Sequence, residues 1–273
     1  MMVRKSMGAL VAVRKMIVSM IIHIKKGGLL LAAQSIRRGF DPQDHQWFSP
    51  DAITRLGQAQ EELQWLLDRG YQPGPVIDFV GSHHQLSTRQ RNALQRSTSS
   101  QRQYDRRMAR LLPFDAAHEG CLAIDGFNLI ITLEVALSKS PIILGKDHVY
   151  RDLAGLRGTY RLIEQTDQAL NLIGKTFHEL QVPCAKFYLD QPVSNSGRLR
   201  QKILAFAEQW QIPVEVELVP DTDAVLTRME RIVTGDSVIL DRCTSWFNLA
   251  RKIIDDNIRE AWIVSFSQEA QSR

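Results

Sequence analysis

Cys121-Leu122-Ala123-Ile124-Asp125-Gly126-Phe127-Asn128 is the stretch that decides the fold of this chain. An apolar run ends in an aspartate, a glycine and an asparagine, and a second apolar run, Leu129 to Leu137, follows at once. The pattern is that of a buried strand whose C-terminal tip presents a carboxylate, followed by a tight turn into a helix. From Gly120 onward, strand-like and helical stretches alternate. Strands are expected at 121–125, 184–190, 214–219, 231–236 and 260–266, and helices at about 128–138, 159–180, 197–210, 222–230 and 245–257. Such alternation builds a parallel sheet covered on both faces, with right-handed crossovers. The expected fold class is a three-layer α/β/α domain over residues 120–268.

Each expected strand delivers an acid near its C-terminal end. The first ends in Asp125, the second in Asp190, and the fourth runs through Val233-Thr234-Gly235 into Asp236, while Asp221 and Asp223 follow the third. Parallel strands bring such tips to one edge of a sheet, where α/β proteins bind their ligands. Clustered like charges repel unless a cation lies among them, and carboxylates with water suit hard cations, so Mg²⁺ or Mn²⁺ is the expected cofactor. Asp125 and Asp236 are the expected inner ligands, with Asp190 and Asp223 completing the site and Asp221 as the alternative to Asp223. The same four aspartates are the catalytic candidates, because metal-bound carboxylate clusters activate water and stabilise the leaving oxygen in phosphoryl chemistry. Asn128 can orient a water or a phosphate oxygen from the start of the helix. Asp152 and Asp241 read as structural, and Glu134, inside the apolar helix, reads as a buried pairing partner rather than a ligand.

The stretch from Asp190 to Arg200 runs small hydroxylated residues and a glycine into a helix that opens with two arginines. Ser194, Asn195 and Arg198 are its substrate-phosphate candidates, with Ser194 or Ser196 as the expected helix cap. The polar stretch Arg151 to Arg161 is a candidate wall of the cleft.

Before the α/β region the sequence predicts a small helical domain over 47–112. Ser49-Pro50-Asp51 opens a helix that Gly70 ends, Val76 to Val80 reads as a short extended piece, and Ser87-Thr88 opens a second helix. Arg89, Arg91, Arg96, Arg102, Arg106, Arg107 and Arg110 accumulate there against Asp105. A basic helical arm of this kind neutralises phosphates without reading sequence, and Arg89 and Arg91 are its named substrate-binding candidates. Residues 1–46 read as a basic extension whose longest apolar run, Met16 to Ile24, is far short of the ~20 residues that span a bilayer. His83-His84 lacks further ligands at metal spacing and reads as a loop pair.

Composition is ordinary for a globular chain: 44% hydrophobic, 23% charged, net charge +4 over 273 residues. Cys121, Cys184 and Cys243 stand far apart with no CxxC spacing, and read as buried thiols in a reducing cytoplasm rather than as disulfides or a zinc site. A phosphatase of the haloacid dehalogenase type needs an aspartate two residues before Asp125, where this chain has Ala123. The GxSxG, GxGxxG and GxxxxGK[ST] patterns are absent. Asp221-x-Asp223 resembles the paired acids of a Toprim domain, which also wants a glutamate where this chain has Asp125.

Ile124-Asp125-Gly126-Phe127-Asn128, Tyr188-Leu189-Asp190 and Val233-Thr234-Gly235-Asp236-Ser237 resemble the motifs of PIN-like and NYN-type nuclease domains. The resemblance implies a sheet of strand order 3-2-1-4-5 and Mg²⁺-dependent cleavage, usually of RNA. Over about residues 50–266 the chain also resembles an uncharacterised prokaryotic family, domain-of-unknown-function family 434. The residues that carry this likeness are Leu67 to Tyr71 and Leu86 to Leu94 in the helical part, with Pro192 to Arg198 and Leu240-Asp241-Arg242 later. PIN nucleases carry a further acid after the first strand, for which Glu134 and Asp152 are only loose matches. The expected function is a metal-dependent ribonuclease partnered by RNA rather than DNA. A non-catalytic nucleic-acid-binding module, and a metal-dependent enzyme on a small phosphorylated metabolite, stand as the alternatives.

Overall fold

The computed structural model describes residues 37–155 and 158–266, which belong to one compact unit. The basic extension therefore lies, up to residue 36, outside the described residues. Among the described residues no helix is long and apolar enough to cross a membrane.

A five-stranded, all-parallel sheet carries the chain's largest core. Its strands are β1 (Leu122–Asp125), β4 (Ala185–Asp190), β5 (Val214–Val219), β6 (Ile232–Val233) and β7 (Trp246–Phe247), ordered β5-β4-β1-β6-β7. The two-residue period of a strand divides these side chains between the two faces. Leu122, Ile124, Phe187 and Leu189 enter one core with the helices α6 (Gly126–Leu137), α7 (Glu164–Glu179), α8 (Ser196–Ala207) and α11 (Leu249–Asn257). Ala123, Tyr188, Ile232 and Trp246 enter the other, with the short helices α9 (Thr222–Leu226) and α10 (Ser237–Leu240). The central strands are apolar throughout because both of their faces are covered.

A second sheet, not expected from sequence, pairs β2 (Ile142–Leu144) antiparallel with β3 (Tyr150–Asp152) and parallel with β8 (Ile263–Val264). The apolar stretch expected as the fifth strand of the main sheet is β8 of this smaller one. Trp246-Phe247, expected inside a helix, takes the place at the main sheet's edge, with both side chains essentially inaccessible. The helix expected from residue 159 begins only at Glu164, after an extended segment tied to Ser194.

Among the described residues five α-helices precede the sheets: α1 (Asp44–Trp47), α2 (Pro50–Asp68), α3 (Pro73–His83), α4 (Thr88–Ser97) and α5 (Gln101–Met108). Ser49 sits at the cap of α2 in extended conformation, with Pro50 in the first turn, as expected. Ser87 caps α4 through a reciprocal pair of bonds with Gln90. The expected extended piece at Val76 to Val80 is instead helix α3. Its prolines fall in the first turn, where they cost no backbone bond, and Val76, Ile77 and Val80 form its buried stripe. That stripe packs with Leu56, Leu63 and Leu94, and with Ile143, Val264 and Phe266 from the second sheet. The helical layer and the smaller sheet thus share one core.

Cys121 and Cys184 form a disulfide with Cα atoms 4.6 Å apart, which corrects the reading of both as free thiols. Parallel pairing of Leu122 with Ala185 sets the preceding residues side by side, although 63 positions separate them along the chain. Cys243 is free and buried, and burial pushes its thiol up to about 11.

Candidate active site

Asp125 ends β1 and caps α6, its carboxylate accepting the Asn128 backbone N–H at 3.3 Å. Gly126 follows because the turn passes close to the neighbouring strand. A Cβ there would lie 2.6 Å from Leu189 Cδ2 and 3.2 Å from the Tyr188 carbonyl oxygen. The other Asp125 oxygen accepts the Thr234 hydroxyl at 2.8 Å, and Thr234 Oγ1 accepts the Asp236 N–H at 3.0 Å. Asn128 Oδ1 accepts the Gly235 N–H at 2.6 Å. The first and fourth strand tips therefore clasp each other through Asp125, Asn128 and Thr234.

Asp236 caps α10, accepting the Val238 N–H at 2.7 Å and the Ile239 N–H at 3.3 Å through one oxygen, while the other meets no donor among the described residues. Asp190, at the end of β4, accepts the Thr222 N–H at 2.9 Å through one oxygen. Asp221 caps α9 through the Ala224 N–H at 3.1 Å and faces solvent. Asp223 is exposed, and no donor among the described residues meets its carboxylate.

These acids feel one another. Burial pushes the Asp125 carboxyl up to about 7, Thr234 and the Asn128 N–H pull it down, and the charges of Asp236 and Asp190 push it up further. Asp223 is pushed up to about 6 by partial desolvation and by repulsion from Asp236, Asp221 and Asp190. The set is nevertheless wider than a closed ligand cage. Among the described residues, no three acidic, histidine or cysteine side chains at this edge bring ligand atoms within 4.8 Å of one another. Oxygen donors with free lone pairs on Asp190, Asp223 and Asp236 suit a hard cation such as Mg²⁺ or Mn²⁺ that keeps several waters.

Arg151 belongs to the stretch expected to wall the cleft, and it does line it, but its specific contacts were not indicated by the sequence. Its Nε donates to the Gly235 carbonyl at 2.7 Å, and its two terminal nitrogens grip buried Asp147 at 2.8 and 2.6 Å. Asp147 also receives Arg107 Nη1 at 2.5 Å, and Arg107 Nε donates to Asp241 at 2.7 Å. Burial pushes the Asp147 carboxyl up, but the two guanidinium groups hold it well below the usual carboxylate range. Only the polarity of the 151–161 stretch hinted at this role; nothing marked Asp147.

Asn128, Arg151, Gly235 and Asp236 line one end of a cleft of about 960 Å³, whose other walls include Arg89, Asn92, Gln95 and Arg96 of α4. Asp125, Asp190 and Asp223 are not among its walls, nor are Ser194, Asn195 and Arg198. Ser194 is bonded to the Gly158 carbonyl, and Asn195 donates to the Tyr160 carbonyl at 2.7 Å. The helix cap there is Asn195 in left-handed conformation, with no side-chain cap bond, rather than either serine. Arg198 is exposed.

The basic arm is largely committed to the fold. Arg89 binds Asp44 at 2.6 and 2.9 Å and also the carbonyls of Gly39 and Leu153. Arg91 ties α4 to α3 through Leu86, Asp78 and Ser82. Arg96, half-buried on the cleft wall, has no partner among the described residues and keeps its guanidinium available.

The loosely matched acids prove structural. Glu134 is inaccessible, lies 2.7 Å from Arg38, and accepts bonds from Tyr160 and Thr166. Asp152 accepts the Thr132 hydroxyl and the Ala154 N–H.

Residues 114–252 match the family described as "Domain of unknown function (DUF5616)". The chain belongs to that family. Residues 55–110 match a second one, "Protein of unknown function (DUF434)", so the resemblance to that family holds for the helical part and a separate family covers the sheet. The chain is 32% identical over 185 residues to "Uncharacterized protein MJ0935" of Methanocaldococcus jannaschii, covering 68% of this chain and 88% of that protein. No solved structure matches.

Proposed function

We propose that this protein is a PIN-like, Mg²⁺- or Mn²⁺-dependent ribonuclease that hydrolyses phosphodiester bonds. The observation that carries the reading is the delivery of Asp125 and Asp190 from strand ends, and of Asp223 and Asp236 from the segments that follow β5 and β6, to one sheet edge where they repel one another. Counted along the chain, the main sheet's strands stand in the order 3-2-1-4-5, the order the PIN-like resemblance implies. A carboxyl group pushed to about 7 by burial and neighbouring acids is poised for a cation. Asp236, Asp223 and Asp190 would hold the metal with their free oxygens, and Asp125 would complete the set on losing its proton. When bound, the cation lowers the pKa of a water and neutralises charge on the phosphate. The chain's own part is to fix Asp236 against Asp125 through Thr234 and Asn128, and to offer Arg96 to a phosphate in the cleft.

One observation favours a non-catalytic RNA-binding module as the second reading. Both Asp125 oxygens are already hydrogen-bonded, and the acids do not close to ligand spacing. The experiment is incubation of purified protein with single-stranded and structured RNA in Mg²⁺, Mn²⁺ or chelator, beside Asp236→Asn. Metal-dependent cleavage by the native chain, with RNA binding retained but cleavage lost in the variant, supports the nuclease. Binding without cleavage under every metal condition supports the module.

A further inference from the structure

We infer a second metal site, remote from the aspartates in chemistry, made by Glu62, His83 and His84 and suited to a borderline transition ion such as Zn²⁺. Among the described residues, this trio alone brings three acidic, histidine or cysteine ligand atoms within 4.8 Å of one another. Two features of the helical layer build it. His83 is the last residue of α3 and His84 its C-cap, so the pair forms the end of a helix rather than lying in a loop. The rings stand 4.9 Å apart and nearly perpendicular, which lets neighbouring residues aim nitrogens at a common point. Glu62, on α2, reaches across to within 2.9 Å of His84 Nε2.

A simple ion pair between Glu62 and His84 needs only one imidazole. The second imidazole is what a pair does not explain. Two protonated imidazoles at this spacing would repel, whereas two neutral imidazoles and a carboxylate are a recurrent donor set for Zn²⁺. The C-terminal end of α3 adds negative potential that favours a cation. Glu62 and His83 are solvent-exposed and His84 half-buried, so a water can fill the remaining coordination position. A bound ion would staple α2 to the end of α3 and so stiffen the helical layer that walls the cleft. This inference is independent of the nuclease reading, which concerns hard cations at the aspartates.

The test is calorimetric titration of full-length, tag-free, chelator-stripped protein with ZnCl₂ in saturating Mg²⁺, which occupies the aspartate edge and leaves the histidine site to Zn²⁺. One Zn²⁺ per chain is expected. His83→Ala and His84→Ala should each weaken binding by about 10-fold or more, since loss of mere supporting partners already costs about 10–100-fold. His178→Ala, an exposed histidine on α7, and Asp236→Asn should leave it unchanged. Zn²⁺ should raise the melting temperature of the native chain and not of the His83 or His84 variants, which checks that both variants remain folded. Absence of binding at tens of micromolar Zn²⁺ (far above ordinary zinc-site affinities), or binding that survives both histidine substitutions or is lost in Asp236→Asn, overturns the site.

Discussion

Replacing Asp125 by asparagine should stabilise the metal-free protein, and increasingly so as pH rises. Asp125 is buried, and its carboxyl is pushed up to about 7 in the fold from an ordinary value of 3.8. A raised carboxyl pKa means that the folded state holds the proton more tightly than the unfolded chain does. Its contribution to stability is therefore fully present below about 3.8 and is lost as pH rises through 7. Integrating between those two values, the ionisation penalty is about 2 kcal/mol at pH 5 and about 4 kcal/mol at pH 8. Asparagine does not titrate, so the advantage of the variant should grow by about 2–3 kcal/mol between those pH values. Its amide cannot accept both the Thr234 hydroxyl and the Asn128 N–H through one oxygen, a loss of about 1 kcal/mol that does not vary with pH. The assay is urea unfolding of both proteins in chelator at pH 5 and pH 8. A stability difference that is the same at both pH values refutes the assignment of Asp125 as a carboxylate confined among other acids.

Mn²⁺ binding to the aspartate edge, measured by calorimetry, should strengthen about 10-fold per pH unit between pH 6 and 7, where Asp125 must release its proton to ligate, more steeply below 6, where Asp223 must also do so, and level off above 7. Asp147→Asn leaves the Arg107 and Arg151 guanidinium groups buried with half their counter-charge gone, and should cost about 3–5 kcal/mol in chemical unfolding. Gly57→Ala would put a Cβ 2.7 Å from the Phe266 carbonyl oxygen, a backbone atom that cannot swing aside. Thermal unfolding should show a loss of about 1–3 kcal/mol, whereas a surface glycine such as Gly74 should tolerate alanine.

The strand tips were legible because each is a short apolar run broken by an acid. Asp125 and Asp190 end their strands as that reading puts them, and β1, β4 and β5 match it within a residue, whereas the strand expected over 231–236 stops at Val233 and leaves Asp236 beyond it, at the cap of α10. What failed was local pattern set against long-range pairing. Trp246-Phe247 is too short to show a period, and a helix follows it at once, so only its place beside β6 makes it a strand. Val76-Ile77 is β-branched and preceded by prolines, which reads as extended until the first turn of a helix is recognised as the place where proline fits. The arginines of the basic arm looked alike as a charge run. Which of them are free depends on acids far along the chain, since Arg107 meets Asp241 at a separation of 134 residues and Arg89 meets Asp44 at 45.

That long-range pairing also explains how the helical layer bears on the site. Arg107 lies on α5 and is clamped between Asp147 and Asp241. Asp147 holds Arg151 by a two-pronged contact, and Arg151 in turn holds the carbonyl of Gly235, one residue before Asp236. Every link is charge-assisted, and all but the Asp241 end is buried, so none can be exchanged for water without leaving a charge stranded. The chain of contacts fixes the Asp236 loop relative to α5, and hence relative to the arginine-bearing wall of the cleft. A loop held only by its own strand could tolerate the loss of the helical layer; this one could not, because Arg107 supplies half of the counter-charge at Asp147. The segment 55–110 and the segment 114–252 are therefore joined by the ion network that positions the proposed metal ligand, not merely by a linker.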